Sequence, residues 1–530
     1  MLVAGLLVEV TFAFLGLFPA AQINVRVDRV SPDRLRIVIP TEKADHELIT
    51  AARAPPAGTR RIVVAGDSTI YGSFVREAST IPRMLEVLLS RGSRVPWEAL
   101  NLGRDGLAAV DVCALGEAAL EHLSPDVLVV YTGHNEFLPP HVAPFIDANL
   151  HPLRSALARR IAWSRIGRAL AGRLVPQFAP DEPWRRSGYW SGVIERSIVA
   201  PARPRVLESF QRHLEQLARK AAERGMPLIL AGPASNGREY GPLGSALSRP
   251  LSATELERFV GLLREAVTAF HSDRLEDCEE SLESARAIDP QVAELLHLRA
   301  ALAWARGEEA AARMLDLGKW GLDESARASS SDVIARIEAV ARTTGSRFVE
   351  LGPLLERMPR PGEPRLFLDN VHPSVYGQFL MARALAPEAA RASGLPDGGP
   401  WLEFGEVCAA LGISPEYLAW SESFTVLGDV NYACLAFDPE PYKVRARAAL
   451  ATLGEEQRSL VRFRVAEILL AILDGQAERA IELARAETVA GGGSLGWFLP
   501  VARNYPRIRA ALERTGLELL AAEPWLRRVE

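Results

Sequence analysis

The chain has 530 residues, 48% of them apolar and 24% charged, with a formal net charge of −5. That length exceeds one typical domain, so two or more folding units are expected, with the composition of an ordinary soluble globular protein. The small acidic excess argues against a nucleic-acid binder, which needs a strong basic surplus.

Leu2–Gln22 carries one charge, Glu9, and is long enough to cross a bilayer core of about 30 Å. No Lys or Arg precedes Arg26, whereas a signal peptide begins with a basic region. Residues 1–22 therefore read as an amino-terminal anchor or as an export signal that starts upstream of Met1. Either reading puts the protein at the membrane or on its periplasmic side and is preferred over a buried helix. Residues 23–60 are mixed and end in Arg53-Ala54-Pro55-Pro56-Ala57-Gly58, the composition of a linker.

Strand and helix then alternate. Arg61–Gly66 is a short β-branched run, and Ile81–Ser90 is apolar at helical spacing. Ala99–Leu102 predicts a second strand and Leu107–Leu123 a second helix. Asp126–Thr132 is a continuous apolar run, as expected of a strand buried on both faces. Val206–Arg224 predicts a long helix before the strand Pro227–Ala231, and Val333–Arg342 with Arg347–Leu351 repeats the step. This order predicts a parallel sheet covered by helices on both sides, built from residues 61–240 and 330–390. Functional residues then belong at the carboxyl ends of the strands.

Two segments interrupt the pattern. His151–Val175 holds six arginines (Arg154, Arg159, Arg160, Arg165, Arg168, Arg173) and no acid. It reads as a basic amphipathic helix, either packed on the domain with a solvated arginine face, which is preferred, or laid on an anionic membrane surface. The second, an insertion over residues 241–329, is almost wholly helical from about Thr254 to Trp320. With Pro290 closing a repeat of about 34 residues, Ala266, Cys278, Leu282 and Ala285 fall where small or apolar residues are wanted, and Ala300, Gly307 and Ala312 follow in the next register. This resembles degenerate tetratricopeptide hairpins, too few to stand alone, which must pack on another unit and which offer a surface to a protein partner.

A Pro/Gly/Ala-rich stretch at 387–400 marks a further boundary, and residues 400–530 read as an α-helical carboxyl-terminal region without a catalytic constellation. Gly492-Gly493-Ser494-Leu495-Gly496 fits Gly-x-Ser-x-Gly, but a helix precedes it where a strand is required, so it reads as a loop. The four cysteines (Cys113, Cys278, Cys408, Cys434) lack Cys-x-x-Cys or metal-ligand spacing. They read as small buried hydrophobes, with a disulfide left open for an exported protein.

Four segments carry the chemistry: Gly66-Asp67-Ser68-Thr69, Asn101 to Gly106, Gly133-His134-Asn135-Glu136 and Asp369-Asn370-Val371-His372. Ser68 follows a strand on a turn into a helix, which exposes a hydroxyl at the sheet edge. Taken alone it would pass for a capping serine. A short Asp-x-x-His loop lets Asp369 fix the His372 tautomer while the other ring nitrogen faces a serine. Asn135 offers a side-chain N–H after the third strand, and Gly106 a backbone N–H where a side chain would block approach. With the Ser68 N–H, these make three donors for an oxyanion. Loop capping and a positive-φ turn are the bland readings of Asn135 and Gly106, weaker together than singly.

These blocks resemble those of the SGNH (GDSL-type) hydrolase superfamily: Gly-Asp-Ser, Asn-x-x-x-x-Gly, Gly-x-Asn and Asp-x-x-His. The resemblance covers roughly residues 60–240 and 330–390. It implies a flavodoxin-like three-layer α/β/α sandwich, with Ser68 as nucleophile, Asp369 as orienter, His372 as base, and Gly106 and Asn135 in the oxyanion hole. Gly-His-Asn-Glu together with helical insertions looks most like a bacterial, often membrane-anchored subgroup. Glu136 stands where Asp is usual and Thr69 where Leu is usual, which puts the subfamily in doubt and leaves the chemistry intact.

The preferred function is a serine ester hydrolase acting on a small-molecule or carbohydrate ester. The alternatives are an O-acyltransferase with the same triad acting on envelope carbohydrate, and a catalytically weak scaffold binding a protein partner through its helical repeats. Neither a His-Glu-x-x-His segment nor a nucleotide loop is present, so no metal or cofactor is expected.

Overall fold

The computed structural model describes residues 25–40, 45–138, 141, 142, 145, 193, 194, 199–323, 328–395, 400–476 and 478–483. The expected amino-terminal segment 1–22, the arginine-rich segment 151–175 and the glycine-rich loop 492–496 lie outside the described residues. Among those described, no helix is long and apolar enough to cross a membrane.

Residues 26–52 are not a linker, as the sequence suggested, but an antiparallel sheet of β1 (Arg26–Arg29), β2 (Arg34–Pro40) and β3 (Asp45–Ala52) in that order. The reason is burial: Leu35, Ile37, Val38 and Ile39 give β2 an apolar run that is covered in the fold. The Pro-Pro stretch that suggested a linker lies beyond β3. Arg61 ties this small sheet to the main one. Its buried guanidinium donates to the carbonyls of Ala52 (2.9 Å), Arg53 (3.1 Å) and Leu123, and to the Glu98 carboxylate.

The main sheet holds β4 (Arg60–Gly66), β5 (Trp97–Gly103), β6 (Val127–Tyr131), β7 (Leu228–Gly232) and β8 (Arg347–Glu350). Their order is β8-β7-β6-β4-β5, with every pairing parallel. Counted along the sheet this is 2-1-3-4-5, the flavodoxin-like order, and β4 and β6 flank the point where strand order reverses. Side chains alternate between two cores. Val63, Ala65, Leu128 and Val130 pack with α3 (Ala109–His122), α4 (Arg203–Glu223) and α9 (Ser331–Thr344). Ile62, Val64, Val127 and Val129 pack with α2 (Ile81–Ser93) and α10 (Val375–Ala392). The fold is thus a three-layer α/β/α sandwich.

Between β7 and α9 stand two helical hairpins, α5 (Ala253–His271) with α6 (Leu275–Ile288) and α7 (Ala293–Ala305) with α8 (Glu309–Leu322). Ala266, Cys278, Leu282, Ala285, Ala300 and Ala312 are all buried there, and Gly307 turns at φ +75°. Buried Lys319 locks the insert to the loop after β7: its Nζ pairs with Asp316 (2.7 Å) and donates to the carbonyls of Gly237 (2.5 Å) and Tyr240 (2.9 Å). The described part of the carboxyl-terminal region, up to residue 483, contains α11 (Phe404–Leu411), α12 (Pro415–Glu422), α13 (Thr425–Leu435), α14 (Glu440–Thr452) and α15 (Val461–Leu473). Its core takes in Tyr240 and Leu243 from the loop after β7, so the region shares apolar surface with that loop. The four cysteines are buried.

Candidate active site

β4 ends at Gly66, and the chain turns directly into the short helix α1 (Ser68–Tyr71). Asp67 caps that helix, its Oδ1 accepting the Thr69 N–H at 2.9 Å. Two side chains pin the turn from outside. The Asn101 amide donates to the Ile70 carbonyl (2.9 Å) and accepts from the Gly103 N–H (2.8 Å). Gln378 of α10 donates to the Thr69 carbonyl (3.2 Å) and accepts from Ile81 N (3.0 Å). Ser68 is thereby fixed at the carboxyl end of β4, 7% exposed.

The fourth segment comes to it from 304 residues away. Asp369 Oδ1 accepts the backbone N–H groups of Val371 (2.9 Å) and His372 (2.7 Å), and its Oδ2 faces His372 Nδ1 at 2.6 Å. His372 Nε2 stands 2.9 Å from Ser68 Oγ. Burial works to raise the Asp369 carboxyl, yet the His372 imidazole and the two N–H groups hold it below its ordinary range. Burial works to lower His372, but Asp369, aided by Asp67 and Asp105, raises it above the ordinary histidine value.

The remaining expected residues line the same cavity of about 1310 Å³ as Ser68, Asp369 and His372. Gly106 has φ +75°, which favours glycine, and a Cβ there would meet nothing within 4 Å. Gly103 differs: a Cβ would lie 2.2 Å from Tyr71 N, so that glycine lets β5 approach α1. The Asn135 amide donates one N–H to the Leu107 carbonyl at 2.9 Å, which fixes its orientation and leaves a second N–H. Glu136 reaches the start of α3, accepting Ala109 N at 2.8 Å. Burial pushes its carboxyl up to about 8, against the pull of that N–H.

Four features of the site were not legible in the segments. His134 is buried against Asp67, Nδ1 to Oδ2 at 3.3 Å, with its Nε2–H donated to the Ala234 carbonyl at 3.1 Å. Phe74 lies edge-on to His372, ring centroids 5.1 Å apart. One cavity wall is β3, through Glu47 to Thr50, and another is α13, through Leu427, Gly428, Asn431 and Tyr432. A lone glycine in the helical pattern of α13 was the one available signal, since such a residue often has a packing reason. Among the described residues, no group of three or more His, Cys, Asp or Glu is placed to hold a metal.

No protein-family model matches the chain, and no curated protein does. Among solved structures it is similar to an α/β hydrolase from the metagenome of Lake Arreo, Spain (14% identity over 63% of this chain and 95% of that one, TM-score 0.29). It is also similar to an acetylxylan esterase from Geobacillus stearothermophilus (13% identity, 64% and 95%, TM-score 0.28) and to a GDSL-like lipase from Bacteroides thetaiotaomicron (12% identity, 64% and 93%, TM-score 0.29). At these TM-scores the likeness carries no weight in assigning chemistry, which has to come from the residues themselves.

Proposed function

We propose that the chain is a serine hydrolase of ester bonds, of the SGNH (GDSL) type. The observation that carries this reading is the unbroken relay from Asp369 Oδ2 through His372 (2.6 Å) to Ser68 Oγ (2.9 Å) on a large open cavity. Both distances suit proton transfer between a nucleophile and its base.

In the first half-reaction Ser68 Oγ attacks the ester carbonyl and its proton passes to His372 Nε2. Asp369 holds the Nδ1–H and stabilises the imidazolium. The negative oxygen of the tetrahedral intermediate faces the N–H donors of Ser68, Gly106 and Asn135. Collapse breaks the ester C–O bond, and the His372 proton leaves with the alcohol. Water then attacks the acyl-serine, again giving its proton to His372, and collapse returns that proton to Ser68 as the acid departs.

The test uses a fluorophosphonate probe and p-nitrophenyl acetate. Wild type should be labelled and should release p-nitrophenol, and Ser68→Ala should do neither. Absence of wild-type labelling, or equal labelling of Ser68→Ala, sinks the reading.

A further inference from the structure

The carboxyl-terminal helices gave no chemical signal in the sequence, yet α13 packs against Asp369, and the residue before it reaches His372 through Phe74. The first contact is Gly428. A Cβ there would lie 2.8 Å from Asp369 Cβ, 3.4 Å from Asp369 Cα and 3.2 Å from the Tyr240 hydroxyl. A glycine inside a helix is destabilising relative to alanine. Close approach of the α13 backbone to Asp369 explains why the cost is tolerated.

The second contact runs through Phe74. This bulky residue sits at φ +71° and is 38% exposed, a left-handed conformation that is strained and persists only when its surroundings enforce it. Its ring meets His372 edge-on (5.1 Å, 84°) and Phe424 at 5.7 Å. Phe424, the residue before α13, is in turn packed on Trp420 at 4.7 Å and covered by the Arg462 guanidinium at 4.8 Å. Asp369 therefore rests on the middle of α13, and His372 rests through Phe74 on its start.

We propose that α13 is a positioning element for the catalytic pair: Gly428 backs Asp369, the Phe424–Phe74 stack backs His372, and turnover depends on the carboxyl-terminal helices. This rests on the serine-hydrolase reading of the site. The other groups bearing on the pair are Asp67 and Asp105, which act on His372, and Tyr240, bonded to Asp429 (3.1 Å), which is paired with Arg445 (2.7 Å). The variants replace none of these groups, and Phe424→Ala lies away from the Tyr240 hydroxyl that a Gly428 Cβ also crowds at 3.2 Å, so a His372 titration changed in both variants reports its separation from Asp369.

The test compares Gly428→Ala, Phe424→Ala and Phe424→Tyr in the full chain. The first two should cut kcat on p-nitrophenyl acetate by about a hundredfold, the scale of a misplacement near 1 Å, with KM near wild type. Their acid limb of activity should move to lower pH, because a displaced Asp369 raises His372 less. Phe424→Tyr should restore kcat and the limb. Histidine NMR titration follows the His372 imidazole whether or not the protein turns over. If wild type is not labelled by fluorophosphonate, the hydrolase reading fails and the titration still decides the positioning. Folded Gly428→Ala and Phe424→Ala proteins with wild-type titration and kcat overturn the proposal.

Discussion

Asp369 with His372 and Asp67 with His134 are the same two residue types, one pair reaching the Ser68 hydroxyl and the other including the residue before it. The first pair is close (2.6 Å), leaves His372 Nε2 free to meet Ser68, and lines the cavity. The second is looser (3.3 Å), is 0–1% exposed, and spends the outer nitrogen of His134 on the Ala234 carbonyl. The Ser68 hydroxyl is met by His372 Nε2, while the His134 Nε2 is spent on a backbone carbonyl. Chemistry here follows from which atoms are left unspent, more than from which residues are present.

The largest effects should fall on the front pair. His372→Ala should lower kcat by at least about 10⁴-fold without comparable loss of stability, and Asp369→Asn by a similar order, since an unoriented imidazole takes the wrong tautomer. Steady-state kinetics alongside thermal melts check both. Activity requires neutral His372, and its titration point is raised above 6.5. The rate should therefore rise with pH through a midpoint above 6.5 and reach its plateau on the alkaline side. In Asp369→Asn the main raising influence is gone and burial acts to lower the group, so the residual activity should keep its plateau to lower pH. A limb that stays in place would dissociate Asp369 from His372 and break the comparison.

A smaller effect separates donors from the relay. Asn135→Ala should cost on the order of 10²–10³ in kcat, the usual loss for one oxyanion donor, while fluorophosphonate labelling of Ser68 persists at a reduced rate. Loss as complete as in His372→Ala would mean that Asn135 holds the loop together through Leu107 and stabilises no charge.

The strands of the main sheet and the front pair were legible in the sequence because their signals are local. Val127–Tyr131 is an unbroken apolar run, and Asp369 and His372 are three residues apart, so spacing alone brings them together. Ser68 and His372 could be joined only because family-like blocks surround them. The missed features are all long-range. β2 was obscured by its arginines and by the prolines beyond β3. Gly428 matters only through a contact with Asp369, 59 residues earlier by their numbering. Nothing near Phe74 signals that Phe424 will stack on it. His134 and His372 look alike in sequence, and what separates them is a carbonyl 100 residues from His134.

That last distinction can be tested on its own, and its expected effect on rate is the smallest. His134→Ala removes the imidazole beside Asp67, whose Oδ1 keeps the Thr69 N–H, and leaves the buried Ala234 carbonyl without that donor. Leaving that buried carbonyl unpaired costs on the order of 1–3 kcal/mol, so the melting temperature should fall. The folded fraction should nevertheless turn over at a rate much nearer to wild type than Asn135→Ala, because Ser68, His372 and Asp369 keep their own partners. Asp67→Asn adds a finer check. Asp67 also helps raise His372, after Asp369, so the acid limb should shift toward lower pH by less than in Asp369→Asn. If His134→Ala instead loses activity on the scale of His372→Ala while melting like wild type, the buried pair belongs to the proton relay and the contrast between the two pairs collapses.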